Sequence, residues 1–151
     1  MSRCRAFLDT EFTDFLDCEL ISIGIVTEDG REFYGERTDY DDSLCSAFVR
    51  EAVLPKLRKE PGIVGTEVEL RTAVLEWLAE LGPVEIYVDY QMDWDLLLDL
   101  CGELPPIVRG KIGLFDEREI ERYWREHGRQ AHHALHDARA NRFSFIEPPA
   151  G

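Results

Sequence analysis

The sequence lacks the features that mark a membrane protein, a zinc protein or a disulfide-rich secreted protein. No segment approaches the roughly 20 consecutive apolar residues of a transmembrane helix. The first residues do not show the charged segment followed by an apolar one that is typical of a signal peptide. The four cysteines contain no Cys-x-x-Cys pair, which argues against a structural zinc site or a disulfide framework; they are Cys4, Cys18, Cys45 and Cys101. We therefore expect a protein of the reducing cytoplasm without a membrane partner.

Positive charge is also scarce. The 151 residues include 31 acidic and 17 basic side chains, which gives a net charge of −14. Nucleic-acid-binding proteins usually carry a basic footprint, so charge alone disfavours a nucleic-acid partner. Metal ions bound at a carboxylate cluster would offset part of this charge locally. The length and the apolar content of 44% predict one domain, residues 1–151, with a full hydrophobic core.

Three apolar segments near the start of the chain predict an antiparallel meander. The first strand covers Arg5–Asp9 and the second covers Glu19–Thr27, which is rich in β-branched residues. Asp29-Gly30 predicts a tight hairpin turn, because type I′ turns need positive φ. Arg31–Thr38 is then the returning strand.

Helices and single strands alternate in the rest of the chain. Asp41-Asp42-Ser43 offers caps for a helix that Pro55 ends or bends, and the polar segment 56–65 is predicted to be a loop. The later predicted elements are a helix from the capping pair Thr66 and Glu69 to Gly82-Pro83, a strand over Val84–Val88, a helix around Leu96–Leu100, an edge strand within Ile107–Phe115, a helix over Asp116–His127 and a helix from His132 to about Ile146. This order predicts an α/β fold, with a mixed sheet covered by helices.

Two carboxylates stand together where the first strand ends. Residues i and i+2 of a strand point to the same face, so Asp9 and Glu11 are expected side by side. Carboxylates this close repel each other unless one takes up a proton or both bind a cation, and Mg²⁺ prefers such oxygen ligands. Asp93 follows the fourth strand and Asp137 lies in the last helix. Four carboxylates at one point need cations, and two Mg²⁺ ions roughly 4 Å apart would form a phosphoryl-transfer site.

These carboxylates carry a resemblance to a known family. Asp9-Thr10-Glu11, Met92-Asp93 and the series from His132 to Asp137 resemble, in order, the three motifs of the DEDDh 3′–5′ exonucleases. That family has a ribonuclease H-like fold and includes oligoribonuclease, ribonuclease T and the bacterial proofreading exonucleases. The resemblance implies a ribonuclease H-like domain with two bound Mg²⁺ or Mn²⁺ ions. The implied catalytic residues are Asp9, Glu11, Asp93, His132 and Asp137, of which the four carboxylates are the metal ligands.

A closer resemblance, to the ribonuclease AS branch, extends over most of the chain. The segments that carry it are Leu8–Phe12, Glu19–Gly24, Glu28–Glu32, Val53–Leu57 and Asp137–Arg139. That branch contains bacterial 3′–5′ exoribonucleases associated with adenylate-rich RNA and with a homodimer. The resemblance implies release of nucleoside 5′-monophosphates from the 3′ ends of single-stranded RNA. A DNA exonuclease and a catalytically silent binding module are the alternatives, because contacts to the 2′-hydroxyl are not visible in the sequence.

Two aspartates compete for the position of the second motif. Asp93 fits the spacing to the preceding strand and to Leu97, and Asp95 is its rival. Asp89, directly after the strand, is expected to cap or turn the chain.

The third motif raises a similar question about its histidine. His133 and Asp137 would share a helical face, whereas His132 would diverge by about 140° if the helix included it. The family pattern selects His132, which requires a position in the loop before the helix. A histidine there is expected to deprotonate the attacking water. His133 and His136 are then expected to be polar surface or loop residues.

Three further residues are predicted to contact the substrate. Thr10 lies within the first motif, and Phe12, just beyond it, either stacks on a base or belongs to the core. Arg139 follows the third motif and is expected to meet a phosphate.

Overall fold

The computed structural model describes residues 3–149 and arranges them around a six-stranded mixed sheet. The strands of this sheet are β1 (Cys4–Phe12), β2 (Leu20–Thr27), β3 (Glu32–Arg37), β4 (Ile63–Gly65), β5 (Val84–Val88) and β6 (Val108–Ile112). The helices are α1 (Ala47–Ala52), α2 (Glu67–Leu81), α3 (Gln91–Cys101), α4 (Glu117–His127) and α5 (Ala134–Ser144). A separate two-stranded ribbon pairs β7 (Leu114–Phe115) with β8 (Phe145–Ile146).

The strand order of the large sheet is β4-β3-β2-β1-β5-β6. Strands β1, β2 and β3 form the antiparallel meander, while β5 runs parallel to β1, β6 to β5 and β4 to β3. The predicted α/β class and the three-stranded meander are therefore confirmed. This mixed sheet, flanked by helices, is compatible with a ribonuclease H-like fold.

The helices cover both faces of the sheet. Ile25 of β2 lies in a buried cluster with Leu70 of α2 and Leu97 of α3. Val26, the next residue, packs instead with Ala134 of α5. Because successive side chains of a strand point to opposite faces, α2 and α3 lie on one side of the sheet and α5 lies on the other.

The boundaries of α2 and β5 agree with the prediction. The Thr66 side chain accepts a hydrogen bond from the backbone N–H of Glu69, and the Glu69 side chain accepts one from the backbone N–H of Thr66. Gly82 ends α2 with a φ of 73°, which favours glycine. Strand β5 then covers the predicted Val84–Val88.

Several other predicted boundaries are wrong. The loop expected over 56–65 ends in the short strand β4, whose three residues are too few to show a pattern. The edge strand expected within Ile107–Phe115 is present as β6, but it ends at Ile112, and Leu114–Phe115 leaves the sheet to form β7. The last helix begins at Ala134 and not at His132, and Phe145–Ile146 pairs with β7 as β8.

None of the helices within residues 3–149 combines the length and the apolar character that crossing a bilayer requires. All four cysteines carry free thiols.

Candidate active site

The end of β1 and the start of α5 meet at a glycine. Asp9 pairs across the sheet with Gly24 of β2. A Cβ on Gly24 would lie 2.7 Å from backbone atoms of Ala134 and Leu135, closer than a real contact allows. Gly24 therefore lets the first turn of α5 lie directly on β2, which brings Asp137 to the end of β1.

Five carboxylates converge here. Oxygens of Asp9, Glu11 and Asp137 lie within 4.8 Å of one another, and oxygens of Asp9, Asp89 and Asp93 do the same. Asp9 belongs to both groups and is 9% exposed. We refer to these five residues as the carboxylate cluster. All four acidic residues predicted from the sequence belong to it, together with Asp89.

Thr10 holds the carboxylate of α3 in the cluster. Its hydroxyl and its backbone N–H donate to Oδ1 of Asp93 at 2.6 and 3.2 Å. Asp93 is 3% exposed, whereas Asp95 is exposed and accepts a hydrogen bond of 3.0 Å from Gln91. The structure therefore brings Asp93 into the cluster and leaves Asp95 outside it.

Burial makes negative charge unfavourable in the cluster. Burial, followed by the charge of Asp137, raises the pKa of Glu11 to about 9. Burial likewise raises the pKa of Asp93 to about 7 and that of Asp137 to about 6. The pKa of Asp9 is raised well above its ordinary value by burial and then by the charges of Asp137, Asp93 and Glu11. A bound cation would reverse this preference for the protonated forms.

One oxygen of the cluster lacks a partner. Oδ2 of Asp9 is buried and has no hydrogen-bond donor among residues 3–149. Buried polar atoms are nearly always paired with protein, water or an ion. An all-oxygen donor set suits Mg²⁺ or Mn²⁺. The residues present therefore fit a divalent-cation site.

His132 lies in the loop before α5, as the resemblance requires. Its φ is 68°, in the left-handed region, and its backbone N–H donates to Oδ2 of Asp137 at 3.0 Å. Its ring meets the ring of Phe48 edge-on, with centroids 4.9 Å apart. Burial, Lys56 and Arg129 lower the pKa of His132, which favours a neutral imidazole at neutral pH.

His133 lies just ahead of α5 but is not a surface residue. It is 4% exposed, and its ring stacks on Tyr34 with centroids 4.7 Å apart. His133 is therefore a loop residue, as one of the two expected alternatives has it, but its ring is buried against Tyr34 and does not lie at the surface. His136 is half-buried, and its Nε2 lies 2.9 Å from Oε1 of Glu60.

Two of the three predicted substrate contacts lie beside the cluster. Thr10 binds Asp93, as described above. Phe12 is half-buried and lines an apolar cavity of about 340 Å³ beside Glu11, together with Phe15 and Phe48.

Arg139 is engaged elsewhere. Its guanidinium forms a two-pronged ion pair with Glu32 at 2.7 and 2.8 Å. It lines a different cavity, with Tyr123 and Arg142. No described contact joins Arg139 to the carboxylate cluster, and its role with a substrate stays a prediction.

The sequence reasoning missed two residues of this region. Asp89 lies at a bend, as expected, but its carboxylate also reaches Asp9 and Asp93. The rule that identified Asp9, a carboxylate directly after a buried strand, applies to Asp89 as well. Lys56 donates to the backbone carbonyl of Ala131, beside His132. Lys56 lies in one of the segments that carry the ribonuclease AS resemblance, but no local pattern predicts this contact, because it spans 75 residues of chain.

Comparison with known proteins gives one clear similarity. No protein-family profile matches the chain. The chain is similar to 3′–5′ exoribonucleases from two strains of Mycobacterium tuberculosis, CDC 1551 (Oshkosh) and H37Rv. Each alignment has 35% identity over 160 residues and covers 94% of this chain and 92% of the relative.

Proposed function

The chain belongs to the family of these 3′–5′ exoribonucleases, and from this premise we propose that it hydrolyses single-stranded RNA stepwise from the 3′ end. The observation that carries the proposal is the carboxylate cluster at the end of β1. We assign the chain to the DEDDh group, in its ribonuclease AS branch. The proposed catalytic set is Asp9, Glu11, Asp93, His132 and Asp137.

We propose that the four carboxylates of this set hold two Mg²⁺ or Mn²⁺ ions. The orphaned Oδ2 of Asp9 and the raised pKa values support a cation at this position. Bound there, the ions supply positive charge to the phosphate and lower the pKa of a bound water. Thr10 fixes Asp93, and the His132 backbone fixes Asp137, so two of the ligands are oriented by hydrogen bonds.

The reaction follows from the end chemistry of an exonuclease. A water attacks the terminal phosphodiester, and His132, neutral at working pH, accepts its proton. The P–O bond to the 3′-oxygen of the penultimate nucleotide breaks, and the departing oxygen takes up a proton from solvent. The products are a nucleoside 5′-monophosphate and an RNA shortened by one nucleotide with a free 3′-hydroxyl.

The apolar cavity beside Glu11 fits the base of the terminal nucleotide. Phe12, Phe15 and Phe48 supply aromatic walls, and stacking on such walls suits any base. Thr10 and Phe12 are therefore retained as proposed substrate residues. A preference for adenylate, a homodimer and a cytoplasmic location are further proposals that follow from the ribonuclease AS resemblance.

The test is incubation of labelled oligonucleotides with the protein and Mg²⁺, Mn²⁺ or EDTA. We expect a 5′-labelled single-stranded RNA to shorten in single-nucleotide steps with either cation and to persist in EDTA. A 3′-phosphate should block the reaction and a duplex should slow it. Adenylate runs should disappear fastest if the branch assignment is right.

Four outcomes would contradict parts of the proposal. Full activity in EDTA would exclude the metal site. Cleavage of a circular RNA at the rate of a linear one would show an endonuclease. Faster shortening of the matched DNA would favour the DNA exonuclease, and binding without shortening would favour a silent module.

A further inference from the structure

We propose that a second cavity, next to the carboxylate cluster, binds an internucleotide phosphate of the RNA upstream of the cleaved linkage. The cavity measures about 390 Å³, and its polar lining includes Lys56, Lys59, Gln130, His133 and His136. We call it the Lys59 cavity. The inference rests on the proposed function and adds to it a place for the body of the RNA.

Two of the few lysines of this acidic chain lie together in the Lys59 cavity. The protein contains three lysines and a net charge of −14, and two of the three lysines line this cavity. Within residues 3–149, neither Lys59 nor the nearby Arg129 forms an ion pair. The one carboxylate in the lining, Glu60, is engaged by His136 at 2.9 Å. Two ammonium groups against one carboxylate leave a net positive charge in the lining, which favours an anion.

The walls of the Lys59 cavity are held by a buried network. Glu36 is 1% exposed and accepts hydrogen bonds of 2.8 Å from the backbone N–H and from Nε of Arg58. Glu36 also accepts one of 2.7 Å from the hydroxyl of Tyr34. This network fixes the segment that carries Lys56 and Lys59 against β3. A site held in this way binds with less loss of side-chain freedom.

A buried histidine in the lining lacks a partner. His133 is 4% exposed, and neither ring nitrogen has a hydrogen-bond partner among the described residues. A neutral imidazole carries one N–H donor, and a buried donor without an acceptor is costly. The ring is packed between Tyr34 and His136, with both centroid distances 4.7 Å, so it cannot turn away to find one. Both ring nitrogens are closed off from solvent in the structure, so a phosphate oxygen in the cavity would reach this donor only with a small shift of the lining side chains.

Lys56 connects this cavity to the carboxylate cluster. Its ammonium donates to the Ala131 carbonyl, one residue before His132. His132 in turn donates its backbone N–H to Oδ2 of Asp137, so this loop links Lys56 to the cluster through hydrogen bonds. The cleaved phosphate at the cluster therefore has a cationic neighbour on the Lys56 side.

The two cavities differ in the part of RNA that they suit. The cavity at Phe12 and Phe48 is apolar and fits a base, whereas the Lys59 cavity offers ammonium groups and N–H donors and fits a phosphate. His132 lies between the two cavities, because its ring touches Phe48 while Lys56 binds the carbonyl of the preceding residue, Ala131. The terminal nucleotide then occupies the Phe12 side, and the upstream backbone passes the Lys59 cavity.

The test compares Lys59→Ala with Lys111→Ala. Both variants remove one exposed lysine, but Lys111 lies on the edge strand β6 and pairs with Glu85 at 3.5 Å. kcat and KM are measured with RNAs of two to eight nucleotides in Mg²⁺ at several salt concentrations. Binding of a 5′-labelled octanucleotide is followed separately by fluorescence anisotropy in Ca²⁺.

We expect Lys59→Ala to raise KM for the octanucleotide by about 3- to 10-fold, as for one lost hydrogen bond of ordinary strength, with little change in kcat. The preference for the octanucleotide over the dinucleotide should shrink. The slope of log affinity against log salt should fall by about 0.7, the value for one phosphate contact of a single strand. Lys59→Arg should restore most of the length preference, and Lys111→Ala should leave both the length preference and the slope unchanged.

The inference fails if Lys59→Ala and Lys111→Ala behave alike, or if Lys59→Ala weakens dinucleotide and octanucleotide cleavage by the same factor. It also fails if Lys59→Ala changes only the inhibition by adenosine 5′-monophosphate, because the cavity would then bind the product phosphate. If the unchanged protein shortens no RNA, the proposed function fails. The anisotropy measurement would still decide whether Lys59 contacts an RNA phosphate.

Discussion

Asp93 and Asp95 lie two residues apart on α3, yet their surroundings are opposite. Two helical residues are separated by about 200°, so one helix face cannot hold both. Asp93 faces Thr10 and the core, whereas Asp95 faces solvent and Gln91. Side-chain direction alone therefore distinguishes the two carboxylates.

The matched variants Asp93→Asn and Asp95→Asn test this difference. Asp93→Asn removes one negative charge from the carboxylate cluster, and we expect kcat to fall by at least about 100-fold, because a proposed cation ligand is weakened. Asp95→Asn should stay within about two-fold, because Asp95 is exposed and lies outside the carboxylate cluster. Steady-state rates on a 5′-labelled RNA provide the measurement. Equal losses in the two variants would refute the assignment of Asp93.

His132 permits a second comparison of single-residue variants. We expect His132→Ala to lower kcat by about 10²- to 10⁴-fold, because the proposed base is lost. Mg²⁺ binding, followed by calorimetry, should persist, since the carboxylates are untouched. His127→Ala, on the exposed end of α4, is the control and should retain activity. A severe loss in His133→Ala with a mild one in His132→Ala would show that the wrong histidine has been chosen.

Among the secondary-structure elements, the contact between β2 and α5 builds the site. Strand β2 is buried throughout, and a Cβ on its Gly24 would strike the backbone of the helix. The distance between these two elements sets the distance between Asp137 and the carboxylates of β1. A change in their packing should therefore alter activity as well as stability.

Gly24→Ala tests that dependence against Gly35→Ala on β3. The methyl group at residue 24 would strike the backbone of α5, which has to move, whereas at residue 35 the nearest atom is the end of the Leu70 side chain. Both variants should lose roughly 1–3 kcal/mol of stability through overpacking. Only Gly24→Ala should also lower kcat well below that of Gly35→Ala at a temperature where both are folded. Melting curves and rates measured on the same samples decide this, and equal kcat values would contradict the role given to Gly24.

For the whole molecule, the buried carboxylates predict how stability depends on pH without metal. The folded-state pKa of Glu11 is about 9, above its ordinary value of 4.5, and Asp93 and Asp137 are raised as well. The folded state therefore binds more protons than the unfolded state between these values, so the free energy of unfolding falls as pH rises through this window.

We expect the melting temperature in EDTA to fall between pH 5.5 and pH 8.5 by at least about 3 °C. Mg²⁺ should restore it more at pH 8.5 than at pH 5.5, because the bound ions favour the ionised carboxylates. Differential scanning fluorimetry provides the measurement, with Asp9→Asn as a variant in which the effect of Mg²⁺ should shrink. Equal stabilisation by Mg²⁺ at both pH values would argue against a cation in the cluster.

Local sequence patterns are enough to predict the meander, the ends of α2 and β5, and the four carboxylates that converge. These features depend on local rules. They are the alternating direction of side chains along β1, the capping pair at Thr66 and Glu69, and carboxylates placed at the ends of buried elements. The order of the motifs also led to the exonuclease family. Local chemistry and the direction of side chains along one element are sufficient for such conclusions.

The pairing of distant segments could be learned only from the tertiary structure. The presence of β4 and β8 depends on pairing with β3 and β7, which are distant in sequence. Lys56 reaches Ala131 across 75 residues, and the burial of His133 depends on the ring of Tyr34 from another strand. Such contacts cannot be predicted from either segment alone, because the residue pattern within each segment is set by its own helix, strand or loop. The Lys59 cavity became visible only once packing had brought these segments together.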